Sequence, residues 1–78
     1  MKQGMWTEIG GCASGVAYGP QGTLYRRGCD GYIFQYEDEQ AQWIRLGTRK
    51  AATLTASEEG VWITDKITRA TFRWSQET

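Results

Sequence analysis

The sequence predicts an all-β chain made of two copies of one four-stranded unit, and three observations carry that prediction. Aromatic residues make up 13% of the chain, and ten glycines stand against a single proline, a balance that favours strands separated by tight turns. No window of a dozen residues keeps apolar side chains at i, i+3, i+4 and i+7 throughout, so no amphipathic helix is expected. The second half also restates the first. "MWTEIGG" at 5–11 returns as "QWIRLGT" at 42–48, with Trp6 repeated as Trp43, Ile9 as Leu46 and Gly10 as Gly47, each 37 positions on.

The elements follow in order. "WTEI" (6–9) ends at Gly10-Gly11, and "GVAY" (15–18) ends at "GPQG" (19–22), where Pro20 suits the second position of a tight turn and Gly22 the fourth. "TLYRR" (23–27) leads into "GCDG" (28–31), whose Asp30-Gly31 is a strong hairpin signal. "YIFQY" (32–36) completes four strands, and the acidic stretch 37–42 leads away. The second half runs the same course through "WIRL" (43–46), "ATLTA" (52–56), "VWIT" (61–64) and "ATFRW" (70–74). Ala13 aligns with Ala51, Val16 with Leu54, Gly22 with Gly60, Phe34 with Phe72 and Tyr36 with Trp74 at a shift of 38, and Tyr25 with Trp62 at 37. The chain is therefore expected to be one domain, 1–78, with units at 5–41 and 42–78.

A repeat of this length with four short strands is the pattern of a β-propeller blade, with a small barrel or a sandwich as runners-up. Two blades pose a physical problem. Tyr32, Phe34 and Tyr36 should point to one face of their sheet and Ile33 to the other, so both faces need cover. Two sheets can cover one face each, leaving two bare, and covering a bare face is worth roughly 10 kcal/mol. The bare faces differ, so contact between copies is head to tail and closes as a ring. The expected architecture is two four-stranded blades per chain, completing a β-propeller by homo-oligomerisation.

The residues that fill the pattern are Trp6, Ile9, Ala13, Val16, Gly22, Leu24, Tyr25, Gly31, Ile33, Phe34 and Tyr36, and in the second unit Trp43, Leu46, Ala51, Leu54, Gly60, Val61, Trp62, Phe72 and Trp74. Over 5–74 the chain resembles the tectonin repeat of the tachylectin/tectonin β-propellers. The second unit departs from that pattern at "TRATF", which lacks the glycine turn of "CDGYIF". Members of that family often carry six blades in one chain, so the resemblance implies a six-bladed trimer here. It also implies recognition, of carbohydrate or of a protein partner, rather than catalysis.

Composition narrows the remaining classes. Nine basic and nine acidic residues give zero net charge, which weighs against a nucleic-acid partner. The apolar runs are too short for a membrane span, and the start lacks the apolar stretch of a secretory signal, so a cytoplasmic location is expected. Cys12 and Cys29 are the only cysteines; two free thiols are the favoured reading and one bridge the alternative. With no histidine and no activating partner for its serines, the chain is not expected to be an enzyme. No cofactor or metal is expected either; Glu37, Asp38 and Glu39 read as a solvated turn rather than a Ca²⁺ site.

A carbohydrate site needs aromatic faces and directional polar groups. Trp6, Trp43, Tyr25 and Trp62 occupy repeat positions that packing alone would demand. Tyr18, Arg27, Asp30 and Tyr32 have no such obligation, and they are the expected ligand-binding residues. The functional expectation is a lectin-like, non-catalytic carbohydrate binder that works multivalently as a homo-oligomer. The alternatives are a ring-shaped protein-interaction or inhibitor module, and a portion of a longer propeller.

Overall fold

The computed structural model describes residues 4–75; residues 1–3 and 76–78, at the two extremes of the expected domain, lie outside that range. The fold is all-β: six antiparallel strands in sequence order form one curled sheet. They are β1 (Ala13–Tyr18), β2 (Leu24–Gly28), β3 (Tyr32–Glu37), β4 (Gln42–Ser57), β5 (Gly60–Asp65) and β6 (Thr71–Arg73). The expected turns close where the sequence places them. A single 3-10 turn at Pro20–Gly22 joins β1 to β2, and Gly31 N–H donates to the Gly28 carbonyl at 2.9 Å between β2 and β3, with Gly31 at φ +98°.

Three expected strands are corrected, in two ways. Residues 6–9 form no strand, and Trp6 is fully exposed. Residues 43–46 and 52–56 are not separate strands but parts of the 16-residue β4. Its first part pairs with β3 and its second with β5. Gly47, read from the sequence as a break, instead takes φ +70° inside β4. There the chain from Leu46 to Arg49 bulges away from β3, because Phe34 pairs with Arg45 and Tyr32 with Lys50.

The two halves repeat rung by rung. In the first ladder Val16, Ala17 and Tyr18 pair with Arg26, Tyr25 and Leu24; in the fourth Leu54, Thr55 and Ala56 pair with Ile63, Trp62 and Val61. Tyr25, Arg26 and Arg27 then pair with Gln35, Phe34 and Ile33, as Trp62, Ile63 and Thr64 pair with Arg73, Phe72 and Thr71. Even the irregularity recurs, between Ala13 and Gly15 and again between Ala51 and Thr53.

Residues paired across a ladder share a face. The first half thus presents Ala17, Tyr25, Arg27 and Ile33 on one side. The second half meets it with Leu54, Ala56, Val61 and Ile63. Tyr25, Ile33, Ala51 and Val61 are the buried apolar residues, with Ala51 wholly inaccessible. Gly19 marks the close approach of the halves: a Cβ there would stand 2.7 Å from the Tyr25 ring and 3.1 Å from Val61.

The cysteines are a third correction. Cys12 and Cys29 form a disulfide, with Cα atoms 5.5 Å apart. Spacing alone does not reveal this, but the register does: Ala13 pairs with Gly28, which sets the next residues outward side by side. Cys29 N–H also donates to the Cys12 carbonyl at 3.2 Å. Among the described residues, no helix is long and apolar enough to cross a membrane.

Candidate functional site

A recess of about 700 Å³ opens where the β4 bulge faces β5 and β6. The bulge supplies Leu46, Thr48 and Arg49, and Lys50 follows where β4 rejoins β3. β5 contributes Ile63 and Asp65, β6 and its exit contribute Phe72 and Trp74, and Tyr32 enters from β3. Alternation explains the selection. Ile63 and Phe72 are directly paired, and Trp74 lies two residues beyond Phe72, so all three point to one face.

Charge in the recess is organised around Asp65. Its carboxylate accepts from the Ile67 and Thr68 amides at 2.8 and 2.9 Å and from Arg49 at 3.0 Å. The Thr68 amide, the Arg49 guanidinium and the Ile67 amide together lower its pKa to about 2. Arg49 also lies 3.9 Å from the centre of the Phe72 ring. Arg45 and Lys50 flank the Tyr32 ring at 5.1 and 5.4 Å. The recess therefore combines aromatic faces with fixed cationic and carboxylate groups, which suits a polyhydroxylated ligand with an apolar side.

The four residues expected to bind ligand do not share this recess. Tyr32 lines it. Asp30 lines a smaller hollow of about 270 Å³ with Cys12, Arg26, Cys29 and Phe34, and its carboxylate accepts from the Tyr32 amide at 3.2 Å. Arg27 is committed to structure: its Nε donates to the Ala51 carbonyl at 2.6 Å, and its guanidinium also bonds Ser14. Tyr18 is exposed at the opposite end of the β1–β2 hairpin.

The sequence reading missed Arg49, Lys50 and Asp65. The available signal was the pair of polar stretches "TRK" (48–50) and "DK" (65–66) flanking repeat positions. Their convergence depends on β4 passing unbroken from one half to the other. Among the described residues, no group of three carboxylate or cysteine side chains is placed to hold a metal ion.

A second constellation lies on the opposite face of the first half. Arg26, only 8% exposed, lies over the Phe34 and Trp43 rings at 4.2 and 4.8 Å and donates to the Cys12 carbonyl at 2.7 Å. Tyr36 meets Trp43 edge to face at 5.0 Å. This stack is architectural: a desolvated cation between two rings is worth about 2 kcal/mol and fixes the outer strand of the first half. No protein-family model, curated protein or solved structure matches the chain.

Proposed function

We propose that the chain is a non-catalytic carbohydrate-binding module whose halves act as propeller blades and assemble head to tail, three chains giving a six-bladed ring. The observation that carries the binding reading is the recess itself, which joins the Tyr32, Phe72 and Trp74 rings to Arg49, Lys50, Asp65 and Thr68. The assembly reading draws support from the unequal faces. Leu54 and Ala56 are half-buried between the halves, whereas their repeat counterparts Val16 and Tyr18 are 63% and 66% exposed. A face covered in one half and bare in its copy is what a head-to-tail neighbour would cover. Repeated around a ring, one weak site per chain gains avidity on a multivalent glycan.

The Cys12–Cys29 bridge favours an oxidising compartment over the cytoplasmic one expected from the sequence. The same exposed Val16 and Tyr18 also favour, as a second reading, a protein-interaction surface.

Glycan-array binding of the full chain, followed by titration of the best ligand against Tyr32→Ala and Lys50→Ala, tests the proposal. The expected result is weak monovalent and tighter multivalent binding, with each variant losing about tenfold, the scale of one lost stacking or polar contact. A silent array, together with capture of one stoichiometric protein that free sugars do not release, would replace the carbohydrate reading with the second one.

A further inference from the structure

The halves match through two ladders each, but among the described residues the first half has a third ladder without a counterpart in the second. β3 is followed by the first part of β4, which pairs Gln35 with Ile44, Tyr36 with Trp43 and Phe34 with Arg45. In the second half the strand order stops at β6. The sequence nevertheless contains a second copy of the missing strand. Trp43, Ile44 and Arg45 correspond to Trp6, Thr7 and Glu8, in the stretch that forms no strand and leaves Met5 and Trp6 almost wholly exposed.

We infer that residues 5–10 of one chain add as an outer strand to the free edge of β6 in a second copy. The inference rests on the ring reading and specifies its contact. The register follows from the repeat: Trp6 opposite Trp74, Thr7 opposite Arg73 and Glu8 opposite Phe72. β6 is prepared for that register. Trp74 N–H donates to the Val61 carbonyl at 2.9 Å, so strand alternation turns the Phe72 backbone towards β5 and the Thr71 and Arg73 backbones outward. In the first half the corresponding outward groups, those of Ile33 and Gln35, face β4.

The side chains agree with the backbone. Trp43 packs on Arg26 and Tyr36, and Arg26 in turn lies over Phe34; the positions equivalent to Arg26, Tyr36 and Phe34 are Ile63, Trp74 and Phe72. All three line the open recess, and they offer an incoming Trp6 ring an apolar bed. Glu8, standing where the first half has Arg45, arrives on the Phe72 face, where the Arg49 guanidinium already lies over that ring. The chain order fits as well. As the first part of β4 runs directly into the strand that begins the second half, residues 5–10 run into β1. The accepting edge thereby receives both a strand and the bare Val16–Tyr18 face behind it. The second copy's Trp6 becomes part of the recess wall, so the proposed binding site is complete only in the assembly.

In the single chain the segment is held by a lesser contact, the Trp43 indole N–H donating to the Gly10 carbonyl at 3.2 Å. Exchange converts residues 5–18 into a counterpart of β4, with Gly10 at the bulge position of Gly47.

Two proline variants of the full chain test this. Thr7→Pro removes the donor strand's central N–H, and Arg73→Pro removes an outward N–H from the β6 edge while leaving the β5 ladder intact. The mass of each at micromolar concentration is measured by light scattering, alone and mixed. The expected outcome is a wild-type species heavier than the 8.8 kDa chain and each variant alone at the chain mass. The mixture should form a species of twice that mass, because one variant keeps the strand and the other the edge. If the variants lose assembly and mixing fails to restore it, the exchange is overturned. If wild type and both variants assemble alike, the exchange falls and the ring stands. A wild type at the chain mass removes both, while glycan binding by that single chain is judged separately.

Discussion

β1 to β3 and the second part of β4 through β6 are two readings of one pattern, identical in register across six rungs and different in how each is closed. The first half is tied at its base by the Cys12–Cys29 bridge, turns through a left-handed glycine, and covers its aromatic face with a fourth strand and the Arg26 stack. The second half has no bridge. It turns through Asp65 and Arg69, and leaves Ile63, Phe72 and Trp74 lining an open recess. The same backbone ladder is thus self-sufficient in one copy and incomplete in the other. Strand pairing needs only matching register, but closure needs residues that only one copy carries.

The largest expected effect comes from removing the feature unique to the first half. Replacing both cysteines by serine frees a loop of 17-residue sequence separation and should lower the unfolding free energy by about 3 kcal/mol, a large share of the stability of a domain this small. Denaturant unfolding measures the loss. Hydrogen exchange should show it concentrated in β1 and the 28–31 turn, with β5 opening only in global unfolding. Unchanged stability would mean that the bridge does not constrain the native chain.

Much of this comparison was legible in the sequence, and the exceptions share a cause. The turns at Pro20–Gly22 and Asp30-Gly31 are written in local chemistry, and the opposite faces of Ile33 and Phe34 follow from alternation. The disulfide was not legible, because its proximity comes from the β1–β2 register rather than from the spacing of Cys12 and Cys29. Nor was the continuity of β4. A glycine at φ +70° can end a strand or bulge it, and only the two flanking ladders decide between these outcomes for Gly47. That ambiguity also hid Arg49 and Lys50, which the bulge carries into the recess, whereas Tyr32 stood out because the second half has no counterpart to its ring. "WTEI" reads as a strand because its copy is one; its partner edge is absent from its own half.

The second half has its own dependence, on pH. Asp65 sits near 2 instead of its ordinary 3.8, held first by the Thr68 amide and then by Arg49 and the Ile67 amide. Because the folded value is depressed, the carboxylate stabilises the fold above about pH 4, and that contribution is lost as pH falls towards 2. Amide protection at Ile67 and Thr68 should therefore fall across this window in the wild type. In Asp65→Asn the protection should be lower at neutral pH and flat with acid. Equal acid sensitivity in both proteins would place the transition elsewhere.

The smallest effect separates the two turns themselves. Gly31 adopts φ +98° where the first half reverses direction, and the repeat places Arg69 at the equivalent position, at φ +67°. A side chain in that region costs about 1 kcal/mol relative to glycine, and the Asp65 bonds to Ile67 and Thr68 offset part of it by fixing the turn from within. Arg69→Gly should thus raise stability by somewhat less than 1 kcal/mol, since glycine also widens the unfolded ensemble. The opposite change, Gly31→Arg, should cost more than Arg69→Gly gains. A side chain at Gly31 would meet Lys50 and the Ala51 carbonyl at 3.4 and 3.6 Å, and beside its Gly31–Gly28 backbone bond the first-half turn is held by one side-chain bond, from the Tyr32 amide to Asp30. Equal and opposite changes would show that the two turns differ only in that residue. An asymmetry would show that Asp65 makes the second turn tolerant of arginine.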